Sequence, residues 1–333
     1  MKSRRVVIND KEDVAIKEIE LGQLQPGECR IQTAYSLISA GTELSRVFRL
    51  KEGASYPVYP GYCSTGVVVD SNIEGFSAGD HVLFTAPHGS LHNFDPRHSD
   101  GSILYRLDPA TDMKKAPYMV MCWIALNGIL PADVKLGDTV AVFGLGTLGI
   151  LVSLYYQMAG CRVIGFEPSV SRAQLAERAG VREVISCPAE EQLERFAELN
   201  IKDGVDIAVD AAGVSACIEK AIQIAGTNGQ VVLLGSPRQA YQTNASQSFY
   251  AVHSKMLKVI GALNRRYSFD PQPGSRISMK RYLSYIEKLI NEDQLPVEKF
   301  ISHQIQPDAG QLLEAYRGLM YDKDSYTGVM IKW

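Results

Sequence analysis

Short segments in which apolar and polar residues alternate fill the chain up to about residue 115. Examples are the segments 29–35, 66–69 and 81–84, and Pro-Gly, Gly-Tyr and Gly-Asp pairs separate such segments. Because successive side chains of a strand point to opposite faces, this alternation is typical of strands with one buried face. Frequent turn signals between such strands predict a β-rich, barrel-like domain for this part of the chain.

The pattern changes near residue 116, where apolar runs begin to alternate with stretches of helical periodicity. The predicted strands span 139–143, 162–167, 182–186, 205–210, 230–235 and 257–262, and the predicted helices span 148–159, 170–179, 189–199 and 214–225. Strands that are apolar along their whole length are typical of parallel sheets covered on both faces. This order of elements predicts an α/β domain with a doubly wound parallel sheet, the Rossmann arrangement.

The last part of the chain returns to shorter, mixed elements. A polar, proline-containing loop at 265–276 is followed by a predicted helix at 278–291, a strand at 300–305, a helix at 309–319 and a strand at 328–333. These elements do not extend the parallel sheet, so we assign them to the first domain. The predicted organisation is therefore a β-rich domain of residues 1–116 and 264–333, interrupted by the α/β domain of residues 117–263.

Charge and composition narrow the range of functions. The chain has 333 residues and a formal net charge of −3, without the basic excess that nucleic-acid binding requires. No charged residue lies between Asp138 and Arg162, a run long enough to cross a bilayer. Its glycines at 144, 146 and 149 and its strand-turn-helix pattern predict a buried segment instead. We expect no nucleic-acid partner and no membrane span.

The six cysteines are spread along the chain, at least 26 residues apart, and no Cys-x-x-Cys pair occurs. Structural zinc sites need clustered thiolates, and disulfide frameworks are typical of small secreted chains. The start of the chain, Met1 to Arg5, leads into a strand-like segment and shows no export signal. We expect free thiols and a cytoplasmic protein.

A glycine-rich turn follows the first predicted parallel strand. Gly144, Gly146 and Gly149 form the pattern Gly-x-Gly-x-x-Gly, with Thr147 and Leu148 between the last two. In this strand-turn-helix context the first glycine permits the turn, the second lets backbone amides approach a diphosphate, and the third lets the helix pack on the strand. The helix dipole favours the negative charge of the diphosphate. We predict that these five residues bind a dinucleotide.

The second predicted strand ends in Glu167, where a carboxylate can accept hydrogen bonds from both ribose hydroxyls. A carboxylate would repel a 2′-phosphate, so the sequence favours NAD over NADP. Arg172 lies on the following helix and is a candidate to stack on adenine or reach the ribose, although a plain surface arginine explains it equally. Small residues at later strand ends, Ala212, Gly213 and Gly235, are predicted to face the nicotinamide half.

The order of these motifs resembles the medium-chain dehydrogenase/reductase superfamily over nearly the whole chain. The segments that carry the resemblance are 77–82, 136–143 and 210–213, together with the glycine turn. The resemblance implies a GroES-like catalytic domain with an inserted Rossmann domain. It also implies a pyridine-nucleotide oxidoreductase that acts on a small molecule.

Zinc-dependent members of that superfamily hold a catalytic metal at positions that match Ala40, Tyr62 and Met119 here. None of the three is an ordinary zinc ligand, and a short His88–His92 loop replaces the lobe that binds structural zinc in those relatives. We therefore expect no metal. The segments 39–43 and 60–66 are similar to the zinc-lacking branch that includes the bacteriochlorophyllide dehydrogenases, which implies interconversion of a secondary alcohol and its ketone.

Without zinc, hydrogen-bond donors and a positioned acid or base must stabilise the developing alkoxide. Thr42 matches the position whose hydroxyl relays the substrate proton in the zinc relatives, and Tyr62 is a second candidate donor. Either side chain has a structural alternative: Thr42 can bond its own backbone and Tyr62 can fill the vacated metal cavity.

Two further residues of the first domain are candidate catalytic groups. Glu43 is a candidate to orient Thr42 or a ribose, or to pair with Arg46 one helical turn further on. His88 is a candidate for proton exchange near neutral pH, and His92 and His98 are weaker ones. A metal site built from these histidines is disfavoured because their surroundings indicate a loop rather than a helix.

The leading hypothesis is a zinc-independent NAD(H) oxidoreductase for a polar secondary alcohol, such as a sugar or polyol derivative. Two alternatives remain: an NADPH-dependent quinone or enoyl reductase, and a nucleotide-binding relative without turnover. We also expect a homo-oligomer, dimer or tetramer, in which the strand near 258–263 pairs with a second copy at the sheet edge.

Overall fold

The computed structural model describes residues 1–50, 55–97, 102–237 and 240–333. His98, one of the three candidate histidines, lies outside these residues. The chain divides into two compact units, the first made of residues 1–121 and 267–333 and the second of residues 122–266. The helix Tyr118–Leu126 crosses the first division, whereas the sequence places the boundary just before it.

The first part of the chain is mostly strand, as its alternating pattern predicts. Its elements are β1 (Lys2–Asp10), β2 (Asp13–Glu20), β3 (Cys29–Leu37), α1 (Ala40–Val47), β4 (Ser64–Ser71), β5 (His81–Phe84), β6 (Leu91–Phe94), β7 (Leu104–Arg106) and α2 (Tyr118–Leu126). Strands β1 and β2 form an antiparallel ribbon, and β3 pairs with both β4 and β6. The ends of β3 and β4 place α1 and the residues before β4 at one site, described below.

The second unit contains the predicted parallel sheet. Its elements are β8 (Thr139–Phe143), α3 (Thr147–Met158), β9 (Arg162–Glu167), α4 (Val170–Ala179), β10 (Glu183–Ser186), α5 (Gln192–Glu198), β11 (Val205–Asp210), α6 (Ser215–Ile224), β12 (Ala225–Leu233), α7 (Ala245–Ser254) and β13 (Lys258–Gly261). In the part of this unit that the structure describes, six parallel strands lie in the order β10-β9-β8-β11-β12-β13. The prediction of a doubly wound sheet is confirmed.

Two elements of the second unit differ from the prediction. The stretch 189–199 begins as a single 3-10 turn before α5, so the predicted helix starts later. Helix α7 has no counterpart in the prediction. None of its residues is fully buried, and Phe249 and Tyr250 are 71% and 70% exposed. Its partly buried Ala251 and Val252 pack against the core of this unit, and so small an apolar face leaves little periodicity in the sequence.

The return segment completes the first unit. Helices α8 (Met279–Asn291) and α9 (Ala309–Tyr321) and strands β14 (His303–Ile305) and β15 (Val329–Lys332) make it up. Strand β15 pairs antiparallel with β3, giving the sheet order β14-β15-β3-β4-β5-β7. The predicted strand 300–305 is wrong in its first half, because Val297–Phe300 forms a 3-10 helix that buries its two end residues.

Packing of α9 against α1 forms a core beside the first sheet. Leu44 and Val47 of α1 and Leu312 and Tyr316 of α9 belong to one buried apolar cluster, which also contains Ile331 of β15. The cluster therefore holds the return segment against the residues that follow β3. Within the described ranges, no helix is long and apolar enough to cross a membrane, and all six cysteines are free thiols.

A buried carboxylate on α8 fastens the loop after β7. The Glu287 side chain accepts hydrogen bonds from the Tyr105 hydroxyl (2.7 Å), the Asp108 amide (2.8 Å) and the Thr111 hydroxyl (2.7 Å). Burial, reinforced by this carboxylate, raises the pKa of the Tyr105 phenol. Glu287 therefore has a structural role within the first unit, since these three bonds join α8 to β7 and to the loop that follows it.

We expect Glu287→Ala to lower the free energy of unfolding by about 3 kcal/mol, because three donors lose a buried charged acceptor. Chemical denaturation measures the change. Glu292→Ala is the matched control: this exposed residue at the end of the same helix makes a surface ion pair with Lys288 and accepts an exposed hydrogen bond from Gln294, so its loss costs about 0.5 kcal/mol or less. Equal effects of the two substitutions would contradict the assignment.

Candidate functional site

The glycine turn of the second unit has the backbone geometry that its sequence predicts. Gly144 follows β8 directly and adopts φ +89°, a left-handed conformation that favours glycine. A Cβ atom on Gly149 would lie 1.8 Å from the Gly144 carbonyl oxygen. Only glycine at 149 therefore lets α3 pack this closely on the turn.

The first amides of α3 lie beside open space and have no hydrogen-bond partner among the described residues. The first backbone bond of the helix runs from the Ile150 amide to the Gly146 carbonyl, which leaves the amides of Thr147, Leu148 and Gly149 outside the helical ladder. Gly146 is the N-cap and offers no side chain to cap them. A Cβ at this position would meet nothing within 4 Å. The residues present thus fit the diphosphate of a dinucleotide.

Glu167 ends β9 beside this turn and is 4% exposed. Its Oε2 atom accepts a hydrogen bond from the Leu145 amide (2.8 Å) and its Oε1 atom one from the Ser169 amide (3.1 Å). Because each carboxylate oxygen has two lone pairs, both retain acceptor capacity for ribose hydroxyls. Arg172 lies in the first turn of α4, where its amide is bonded to the Ser169 hydroxyl.

The residues predicted to face the nicotinamide lie at the ends of β11 and β12. Asp210 holds this corner, since its Oδ1 atom accepts hydrogen bonds from the amides of Ala212 and Gly213, both at 3.1 Å. Its backbone carbonyl accepts the Gly235 amide (2.8 Å). A Cβ on Gly235 would lie 2.2 Å from the Gly213 nitrogen, so the two small residues also let the two loops meet.

A buried carboxylate organises the candidate site of the first unit. Glu43, in the first turn of α1, is 2% exposed. Its Oε1 atom accepts the Ser39 amide at 2.7 Å, and its Oε2 atom contacts His88 Nε2 at 3.0 Å and accepts the Tyr316 hydroxyl at 2.7 Å. The ion pair with Arg46 that the helical spacing suggests is replaced by these three buried contacts.

His88 links this carboxylate to a second polar chain. The imidazole is fully buried, and its Nδ1 atom lies 2.8 Å from the Ser36 hydroxyl oxygen, which accepts the Trp333 indole N–H at 2.8 Å. A neutral imidazole protonated at Nε2 satisfies the whole chain: it donates to Glu43 and accepts from Ser36, whose oxygen accepts from Trp333. His88 is therefore beneath the surface of the site.

The same site also contains three hydroxyl groups, which differ in exposure. The oxygens of Tyr62 and Ser39 lie 2.5 Å apart, and the Thr42 hydroxyl lies close enough to the Tyr62 phenol to lower its pKa. Thr42 is exposed, Tyr62 is partly buried and Ser39 is buried. Burial is the main cause that raises the pKa of the Tyr62 phenol, and the hydrogen bonds with Ser39 and Thr42 act in the opposite direction.

The structure thus brings Thr42, Glu43, Tyr62 and His88 into one connected arrangement. His92 is separate from it: the buried ring bonds the Gly89 carbonyl (3.2 Å) and packs on Phe84. Sequence reasoning missed Ser39 and Tyr316. A signal for Ser39 exists, because a serine before a helix with a glutamate four residues later resembles a capping box shifted by one residue. Nothing local marks Tyr316, which lies 273 residues from Glu43.

The donor set at the three matched metal positions does not fit a zinc ion. Ala40 has no donor atom, Met119 is fully buried, and the phenol of Tyr62 is engaged by two hydroxyls. Burial raises the pKa of the adjacent Cys63 thiol well above its ordinary value, which opposes the thiolate that zinc requires. Within the described residues, no group of three or more His, Cys, Asp or Glu side chains is arranged to hold a metal.

Comparison with known proteins finds similarity to dehydrogenases, both for part of the chain and for nearly all of it. Residues 147–271 match the family model described as zinc-binding dehydrogenase. The chain is 27% identical over 340 residues to 2-desacetyl-2-hydroxyethyl bacteriochlorophyllide A dehydrogenase of Rhodobacter capsulatus, covering 97% of this chain and 96% of that protein.

Two solved structures share the fold over the whole chain. An alcohol dehydrogenase of Escherichia coli CFT073, complexed with NADH, gives a TM-score of 0.80 at 16% identity, covering 100% of this chain and 99% of that one. A zinc-binding dehydrogenase of Sinorhizobium meliloti 1021, bound to NADP, gives a TM-score of 0.79 at 16% identity, covering 100% of this chain and 100% of that one.

Fold and comparisons together define a medium-chain dehydrogenase/reductase-like protein, with a GroES-like unit and a Rossmann unit. The resemblance that the motif order indicates is confirmed. Within the superfamily, the similarity extends along nearly the full chain to a bacteriochlorophyllide dehydrogenase.

Proposed function

We propose that this protein is a zinc-independent, NAD(H)-dependent oxidoreductase that interconverts a polar secondary alcohol, such as a sugar or polyol derivative, and its ketone. The observation that carries the proposal is the open set of amides at the start of α3. The cluster of hydroxyl groups at Tyr62 supports it as a site for proton transfer. A bound nicotinamide would supply the hydride acceptor for oxidation and the donor for reduction.

The choice of NAD rests on Glu167. Its carboxylate is buried and anchored by two backbone amides at the turn, so it cannot swing away from an incoming group without breaking both bonds. Ribose hydroxyls can donate to it, whereas a 2′-phosphate would place two negative charges together. In this proposal the amides of Thr147, Leu148 and Gly149 bind the diphosphate, Arg172 borders the adenosine half, and Ala212, Gly213 and Gly235 border the nicotinamide half.

We expect NADH to bind at least about tenfold more tightly than NADPH, since a like-charge contact costs several kcal/mol. Quenching of protein fluorescence during titration with each cofactor measures both affinities. Gly146→Ala serves as the control: its Cβ enters empty space, so the variant remains folded, but the methyl group occupies the cradle and weakens both cofactors. Tighter binding of NADPH would refute the choice of NAD and favour the quinone or enoyl reductase alternative.

Proton transfer is assigned to Tyr62, with Thr42 as its link to solvent. In reduction, the phenol donates its proton to the carbonyl oxygen as the carbonyl carbon gains the hydride. The tyrosinate then recovers a proton through the exposed Thr42 hydroxyl. Oxidation runs in reverse, with the tyrosinate accepting the alcohol proton. Glu43 and His88 do not reach the surface of the site, so we propose that they position the residues around Tyr62.

We expect Tyr62→Phe to lower turnover by about 10²–10⁴-fold, the usual contribution of a positioned acid or base. Thr42→Val should lower turnover less, because water can replace a solvent-exposed relay. A panel of secondary alcohols and ketones with either cofactor, at fixed pH, provides the measurement.

Unchanged turnover in both variants would show that the acid and base lie elsewhere. A stoichiometric NADH complex without turnover of any panel member would favour the non-catalytic alternative.

A homo-oligomer is part of the proposal. Among the described residues, β13 is an edge strand of the parallel sheet. Val259 on this strand is 46% exposed, and Leu263 just after it is 63% exposed. An open edge strand with apolar side chains is suited to antiparallel pairing with a second copy. We also propose a cytoplasmic location, because a reducing compartment keeps all six thiols free.

Analytical ultracentrifugation should show a dimer or tetramer for the native chain and a smaller species for Val259→Glu, in which two copies would bring like charges together. Val69→Glu is the matched control, since Val69 is 44% exposed on β4 of the other unit. A monomeric native chain, or equal dissociation in the two variants, would exclude association through β13.

A further inference from the structure

Ser39 occupies the N-cap position of α1 but does not cap the helix. Its backbone is extended (φ −87°, ψ 91°) and its side chain makes no hydrogen bond to the first-turn amides. An N-cap serine ordinarily accepts a bond from the second or third amide of its helix. Here the hydroxyl is directed to the Tyr62 phenol instead, at 2.5 Å.

The backbone of Ser39 is held from the opposite side by the buried carboxylate. The Ser39 amide donates to Glu43 Oε1 at 2.7 Å, and Glu43 is itself held by His88 and Tyr316. A residue anchored through its amide keeps its hydroxyl in one place. The serine is therefore the point at which the buried network reaches the phenol.

We propose that Ser39 is a positioning residue for Tyr62: its hydroxyl orients the phenol and donates a hydrogen bond to the phenolate oxygen whenever Tyr62 gives up its proton. This inference rests on the proposed function, in which Tyr62 exchanges a proton with substrate. The phenolate can only accept hydrogen bonds, so the shared proton between the two oxygens must then belong to Ser39. Thr42 provides a second donor from the solvent side.

The groups around the phenol determine the direction in which each substitution should shift the pKa of Tyr62. Burial and the negative charge of Glu43 raise the pKa of Tyr62, and the hydroxyl groups of Ser39 and Thr42 lower it. The neighbouring Cys63 adds no charge, because burial disfavours its thiolate. His88 lies behind Glu43 and contacts its carboxylate. Removing the Ser39 hydroxyl should therefore raise the pKa of Tyr62, whereas Glu43→Gln, which removes a negative charge, should lower it.

The test titrates Tyr62 directly and needs no substrate. Replacing Tyr62 by 3,5-difluorotyrosine in the full chain lowers the phenol pKa into an accessible range, and fluorine NMR follows its ionisation. We expect Ser39→Ala to raise this pKa by about one to two units, because a hydrogen bond to a charged oxygen is lost. Ser39→Thr, which keeps the hydroxyl, should restore the native value.

Ser64→Ala is the control. This serine is fully buried two residues after Tyr62, and its hydroxyl has no hydrogen-bond partner within the described residues, so its loss should leave the titration unchanged. Should Ser39→Ala not fold, Ser39→Cys gives a second measurement, since a weak thiol donor should raise the pKa by a smaller amount. An unchanged titration in the Ser39 variants, or the same shift in Ser64→Ala, overturns the inference.

The titration of Tyr62 and the measurement of turnover can fail separately, so the two proposals are distinguishable. If Tyr62→Phe leaves turnover unchanged while Ser39→Ala shifts the titration, the pairing of the two residues stands and the catalytic assignment fails. If turnover depends on Tyr62 and the titration does not respond to Ser39, the positioning role alone is wrong.

Discussion

The first unit is organised around a carboxylate that has been removed from water. A buried charge is tolerated only when donors replace its lost hydration, and Glu43 obtains its donors from one neighbouring and two distant segments. The Ser39 amide comes from the end of β3, His88 from the loop after β5, and the Tyr316 hydroxyl from α9. Satisfying one side chain therefore requires all three segments to be in place, which couples the return segment to the candidate site.

The two units differ in the groups that would contact a ligand: backbone amides in the second unit and side-chain hydroxyls in the first. In the second unit, the predicted cofactor contacts are mainly backbone amides, made accessible by the absence of side chains at Gly146 and Gly149. In the first unit, the candidate chemistry belongs to hydroxyl groups whose positions depend on buried side chains. Backbone recognition is stable against most substitutions, whereas the hydroxyl cluster depends on particular partners. Differences in substrate among proteins of this fold can therefore arise from the first unit without altering the second.

This difference also explains how much the sequence could predict. The parallel strands and the glycine turn are encoded locally, by apolar runs and by residue spacing, and both were predicted correctly. Helix α7 was missed because none of its residues is fully buried, and the strand predicted at 300–305 starts too early because Phe300 ends a 3-10 helix that buries apolar residues as a strand does. At the site, Thr42, Glu43, Tyr62 and His88 could be named, but their partners could not. Glu43 has a suitable cation one turn away in Arg46, and only tertiary packing favours His88 and Tyr316 instead.

The balance of forces on Tyr62 bears on the direction of the proposed reaction. A phenol whose pKa is raised by burial stays protonated at neutral pH and is ready to donate to a carbonyl oxygen, which is the step that reduction needs. Oxidation needs the phenolate, whose stabilisation by Ser39 and Thr42 is opposed by burial and by Glu43. Because the population of phenolate grows as pH approaches the pKa from below, oxidation gains from alkaline conditions while reduction does not. A metal cation can stabilise a developing alkoxide, whereas in the zinc-independent reaction proposed above that stabilisation comes from neutral donors. The geometry around Ser39 therefore determines how costly the oxidative direction is.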